Sequence, residues 1–157
     1  MRSYLLLLAL AAALPGCTSS DQAAGKKPSR ATSFQAVDVF VDSGAQPLAA
    51  YQIEAAYAPG RVQILSLEGG ESEGFRDAPY YDPAGMTGGR MVIAAFVVRD
   101  EQATAGPQRV ARLHLRLTGA EARLPDVRLV AAAGPGGERI KAATELKSSV
   151  GPEGKGK

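Results

Sequence analysis

Tryptophan is absent from this 157-residue chain, and cysteine and histidine occur once each, as Cys17 and His114. A single cysteine excludes an intrachain disulfide framework, and one Cys with one His excludes a Cys/His zinc site. A Cys–His or Ser–His mechanism would have to be built on His114, and the sequence pattern places no nucleophile or carboxylate beside it. With no Trp and aromatics at 6%, the aromatic-lined groove of a typical sugar-binding module is hard to assemble. Neither sign of charge is in excess: 18 Lys and Arg face 16 Asp and Glu, for a net charge of +2. No basic run is long enough to make a nucleic-acid surface. Asp77 with Asp82, and Asp38 with Asp42, are pairs without the dense acidic run of a calcium loop. The stretch Gly69–Gly74 (GGESEG) lacks the Lys and Ser/Thr of a phosphate loop. No catalytic residue, metal or cofactor is assigned. Beyond residue 17, a short turn within 58–66 aside, no segment carries the 3.6-residue apolar period of an amphipathic helix.

What is present begins with an address. Met1-Arg2 is a short positive start, and Tyr4–Leu14 is an apolar run of 11 residues. A bilayer-spanning helix needs about 20, so the run fits the core of a secretory signal. It ends in Leu14-Pro15-Gly16-Cys17, which resembles a bacterial lipobox. The resemblance implies that residues 1–16 are a lipoprotein signal peptide and that Cys17 carries diacylglycerol and becomes the acylated N-terminus. Two or three acyl chains anchor stably where one does not. In that resemblance Thr18, in place of an Asp, implies the outer membrane. Residues 17–32 then comprise the lipidated Cys and a flexible tether without a large apolar side chain, and residues 148–157 a disordered tail. The folded domain is expected over 33–147.

Within that span the apolar period is two. Ser33–Val41 alternates with Val37, Val39 and Val41 on one face, and Ala49–Tyr57 with Tyr51, Ile53, Ala55 and Tyr57. Arg61–Leu67 slips phase between Ile64 and Leu65, which predicts a bulge or an irregular turn. Residues 68–89 form a long Gly/Pro/acid-rich connection carrying Phe75, Tyr80, Tyr81 and Met86. Arg90–Val98 is apolar on both faces. Arg109–Leu117 alternates cleanly, with Ala111, Leu113, Leu115 and Leu117 inward and Arg112, His114 and Arg116 outward. The outward row reads as a solvated face, with an acidic glycan, a phosphate or a lipid headgroup as the ligand it would suit. Asp126–Ala133 and Glu138–Leu146 predict a hairpin across Gly134–Gly137. Such strands and turns, with 18 Gly and 10 Pro, predict an all-β sandwich.

The string from Val37 to Gly70 resembles the opening of a cohesin-type domain: a strand, a small turn, then an L-x-x-Y-type strand ending in Tyr57-Ala58-Pro59, with Ala58 in place of the family's Asp. Gly88–Val98 and Gln108–Leu117 are similar to the family's next strands, and the resemblance covers about residues 34–145. It implies a nine-stranded jelly-roll sandwich akin to carbohydrate-binding modules. It also implies a non-catalytic domain that binds a helical dockerin-like partner on one flat sheet face. That face would hold the strands at 49–57, 91–98 and 126–133 and a segment near 76–82. On it, Ala50 and Gln52 replace the polar Asn and Asp anchors of cellulosomal members. The expected outward set is Ala50, Gln52, Glu54 and Ala56 with Met91, Ile93, Ala95 and Val97, while Val92, Ala94, Phe96 and Val98 fill the core. The partner-binding residues are then Gln52, Glu54, Ala95 and Val97, with Tyr80 or Tyr81 at the rim; the two tyrosines can equally pin the long loop. The functional reading is a lipid-anchored docking module at the outer membrane, periplasmic or surface-exposed. Two alternatives stand beside it: a glycan- or peptidoglycan-binding lipoprotein, and a structural accessory of a secretion or pilus complex.

Overall fold

A computed structural model describes residues 31–149. The expected signal peptide, Cys17, most of the expected tether and the residues beyond Ser149 lie outside the described residues. Eight strands follow in order: β1 (Thr32–Asp42), β2 (Ala50–Ala56), β3 (Val62–Gly69), β4 (Tyr80–Tyr81), β5 (Arg90–Phe96), β6 (Pro107–Thr118), β7 (Asp126–Ala133) and β8 (Ala143–Ser148). They make two four-stranded antiparallel sheets, β3-β6-β1-β8 and β4-β5-β2-β7. The described chain therefore has eight strands where the cohesin resemblance implied nine.

Alternation builds the core directly. Val37, Val39 and Val41 of β1 and Leu113 and Leu115 of β6 face Tyr51 and Ile53 of β2 and Met91 and Ile93 of β5 in one buried cluster. Truncating a buried leucine in such a cluster costs about 2–5 kcal/mol. The phase slip in β3 is a bulge: the register with β6 jumps between Ile64 and Ser66, so Leu65 turns outward and Leu67 returns to the core opposite Leu113. A second irregularity sits at Val110. Phe40 pairs with Arg109 and Val39 with Ala111, and both Val110 and Ala111 are buried.

The expected hairpin of residues 126–146 is only begun. Gly134 donates to the Glu138 carbonyl and Ile140 to that of Ala132. Ile140 is buried at the end of the core. The chain then passes to the other sheet, where β8 pairs with β1. A buried Ile at the point of exit draws the backbone over the sandwich end rather than back along β7.

The connection before β4 is held from inside. Phe75, on a 3₁₀ turn (Glu73–Phe75), is buried and meets Tyr51 edge-to-face. The backbone runs close enough here to require glycine: a Cβ on Gly70 would lie 2.1 Å from the Arg109 carbonyl oxygen. Met86 also packs on the core, whereas Tyr80 and Tyr81 do not anchor the loop there.

Candidate functional site

The site is the outer face of the β4-β5-β2-β7 sheet. Residues directly opposite in an antiparallel pair share a face. Because Tyr51, Ile53 and Ala55 point inward, their partners Ala95, Ile93 and Met91 do too. This reverses the expected orientation of β5. Met91 and Ile93 are core residues, and Ala95 and Val97 pack against the core. The outward set is Arg90, Val92, Ala94 and Phe96. On β2 the outward residues are those the alternation predicted: Ala50, Gln52, Glu54 and Ala56.

Pairing lays these out in rungs. Phe96, Ala50 and Ala133 form one; Tyr80, Ala94, Gln52 and Ala131 the next; then Val92, Glu54 and Arg128. The first two rungs are nearly all alanine between an aromatic edge and Gln52. They floor a shallow groove of about 390 Å³ lined by Ala50, Gln52, Tyr80, Ala94, Phe96, Ala131 and Ala133, with the inward-facing Tyr51, Ala95 and Ala132 beneath. Tyr80 and Phe96 close one side as a stacked pair, with ring centroids 6.1 Å apart and planes at 7°. They are 71% and 58% exposed. Two aromatic side chains held against each other in water, beside a small-residue floor, are apolar area available for burial by a partner.

Glu54 ends the groove. Its carboxylate accepts from Arg90 at 2.5 Å and from Arg128 at 3.4 Å. The Arg90 hydrogen bond, aided by the charge of Arg128, holds the carboxyl below the usual range. Glu54 therefore stays ionised at neutral pH and orients two guanidiniums at the edge of the apolar floor. Tyr81 registers with the inward Ile93 and leaves the groove to Tyr80.

Of the residues expected here, Gln52, Glu54 and Tyr80 come together on the outer face; Ala95 reaches the groove lining only from its inward-facing position, and Val97 and Tyr81 do not line it. Ala94, Phe96, Ala131 and Ala133 take their place. The signal that locates them is the shared parity of β5 with β2, which needs the register and not the hydropathy of β5 itself.

The Arg112, His114, Arg116 row on the opposite sheet is mostly engaged. Arg112 binds both oxygens of Asp38, at 2.7 and 3.1 Å, and Arg109 adds a third contact at 3.2 Å. His114 Nε2 lies 2.8 Å from Glu68 Oε1. Of the four aspartates in the two acidic pairs, three have other partners. Asp42 accepts from the Gly44 N–H, Asp82 from the Ala84 N–H, and Asp38 from the arginines. Among the described residues no group of three or more His, Cys, Asp or Glu is placed to hold a metal ion.

No family model and no curated protein matches the sequence. Among solved structures, one chain of the CaDoc0917–CaCohA2 crystal structure, a cohesin–dockerin complex, is similar with a TM-score of 0.56 and 12% identity. The match covers 69% of this chain and 82% of that one. At such identity the likeness is one of fold, and the fold is a cohesin-like β-sandwich.

Proposed function

We propose that this chain is a non-catalytic docking module, held to the bacterial outer membrane by lipid on Cys17. Its partner, a dockerin-like protein or a component of an envelope complex, seats in the alanine-floored groove of the β4-β5-β2-β7 sheet. The observation that carries the reading is the groove itself. It is an exposed apolar trough with small residues underneath, an aromatic wall at Tyr80 and Phe96, and hydrogen-bonding side chains at Gln52 and Glu54 to fix orientation. Small floor residues let a partner helix approach the sheet closely, and apolar area removed from water contributes roughly 25 cal/mol per Å² before the costs of association. The fold supports the same reading, since the similar solved structure is of a cohesin bound to a dockerin.

The test is capture by the full-length protein from detergent-solubilised envelope, with and without calcium. Ala94→Arg or Ala131→Glu, each placing a charge on the groove floor, should abolish capture and leave the thermal midpoint within a few degrees, because both sites are on the outer face. Arg116→Ala should leave capture intact. Loss of capture in Arg116→Ala alone would refute the groove. Retention on purified peptidoglycan through Tyr80 and Phe96, with no protein captured, would establish the glycan-binding alternative instead.

A further inference from the structure

The outer face of the β3-β6-β1-β8 sheet changes character along its strands. Towards the far end its charges are matched: Asp38 holds Arg112 and Arg109, Glu71 lies 3.3 Å from Arg109, and Glu68 meets His114. At the end where β1 begins, the outward side chains are Phe34 on β1, Arg116 and Thr118 on β6, and Gln63 and Leu65 on β3, with Arg61 just before β3. None is acidic. Among the described residues neither Arg61 nor Arg116 has a carboxylate within ion-pair distance. The two arginines line one hollow of about 290 Å³ with Gln63, Thr87 and Thr118. Beside it Phe34 and Leu65, 72% and 41% exposed, border a second hollow of about 220 Å³. The β3 bulge is what turns Leu65 into this face. The turn after β6 carries one acid, Glu121, and one base, Arg123.

Unmatched cations beside exposed apolar side chains are what a lipid interface selects: guanidiniums for phosphates, apolar groups for the acyl boundary. The position fits as well as the composition. Thr118 pairs with Thr32, and the Ala31 carbonyl accepts from the Gly119 N–H at 2.8 Å, so the chain enters the domain at this patch. Cys17 precedes Ala31 by few enough residues that a lipid on its sulfur is confined to within ~50 Å, whatever the path between. The intervening sequence carries Lys26, Lys27 and Arg30 against Asp21. A contact too weak to form between free partners becomes intramolecular under such a leash.

We infer that this end of the sheet rests on an anionic phospholipid surface, with Arg61 and Arg116 on headgroup phosphates and Phe34 and Leu65 at the acyl boundary. The inference rests on the anchored reading of Cys17. It turns the groove, which lies on the other sheet and at the other end of the strands, away from the membrane. The test uses residues 17–157 with Cys17→Ser, purified without lipid, and vesicles of phosphatidylglycerol with phosphatidylethanolamine or of phosphatidylcholine alone, read by co-sedimentation. The protein should bind the anionic vesicles, and less so as salt is raised. Arg61→Gln and Arg116→Gln should each lower partitioning about fivefold and together about 25-fold, from roughly 1 kcal/mol per basic residue at an anionic surface. Phe34→Ser should weaken binding without changing charge, and Arg99→Gln, at the far end, should have no effect. Equal binding to both vesicle types, or partitioning indifferent to the two arginines, overturns the inference. So does tight binding of inorganic phosphate with no preference for vesicles, which would make the arginine hollow a free-anion site. Absence of acyl labelling on Cys17 in cells, with vesicle binding intact, overturns the anchored reading alone.

Discussion

Phe75→Ala tests how the long connection between β3 and β4 is held. Phe75 is 2% exposed, and its ring meets Tyr51 at 5.2 Å between centroids. Removing a buried phenylalanine costs about 3–5 kcal/mol when the surroundings cannot collapse. Collapse is resisted here. The backbone leading into it is fixed, with Gly70 donating to the Phe75 carbonyl and Glu71 to that of Arg109. For a domain of this size each kcal/mol moves the melting midpoint by about 3–5 °C, so the variant should melt about 10–20 °C lower. Phe75→Leu, which refills most of the volume, should lose less than half as much. Circular dichroism gives the midpoint, and amide hydrogen exchange on β2 and β6 reports whether the loss is global. A drop under about 4 °C with unchanged protection of β2 and β6 would refute the reasoning. It would mean that the connection detaches by itself and Phe75 is no part of the cooperative core. Groove binding should weaken in parallel, because Tyr80 follows Phe75 closely in sequence and its stacking on Phe96 depends on the path of this connection.

Two other outcomes follow from Asp38 on the opposite sheet and from Cys17. The guanidinium of Arg112 holds the Asp38 carboxyl below its usual range; burial opposes this and Arg109 adds to it. A depressed carboxyl stabilises the fold above its unfolded value near 3.9 and loses that contribution as pH falls through the folded value. Asp38→Asn should therefore cost about 2 kcal/mol at pH 7, and its melting midpoint should converge on that of the wild type as pH drops below about 4; a constant gap down to pH 3 contradicts the pairing. Cys17→Ser should leave unprocessed precursor and abolish acyl-chain labelling, and normal processing with membrane retention would sink the lipid anchor.

Much of the sandwich was legible because one-sided strands state their own orientation. Arg109–Leu117 and Ala49–Tyr57 are of this kind, and the misplaced Leu65 announced the β3 bulge. Arg90–Val98 is different. With apolar residues on both faces, nothing local distinguishes Met91, Ile93 and Ala95 from Val92, Ala94 and Phe96. The decision is made by pairing with β2, a contact across the sequence. The groove inherits that ambiguity, since most of its floor comes from β5 and from β7, whose register with β2 shifts between Leu129 and Ala131. The arginine row was legible as outward but not as paired: Asp38 and Glu68 come from β1 and β3, and only the sheet order brings them beside β6. The passage of residues 138–146 to the other sheet follows from burial of Ile140, which a Gly-rich turn signal does not encode.

The place of β1 has a mechanical consequence. In an anchored docking module, load enters at the groove and leaves through the N-terminal end of β1. The two points lie at opposite ends of the strands, so the pull runs along β1 rather than across it. All 11 residues of β1 pair with β6, and β8 grips its far half from the other side. A strand drawn lengthwise between two neighbours must break its rungs together, whereas one peeled from an edge yields them singly. Anchored at Thr32, the domain should resist extension as a clamp. The same domain pulled instead from its C-terminal end, where β8 forms the sheet edge and, among the described residues, pairs with β1 alone, should unzip at much lower force.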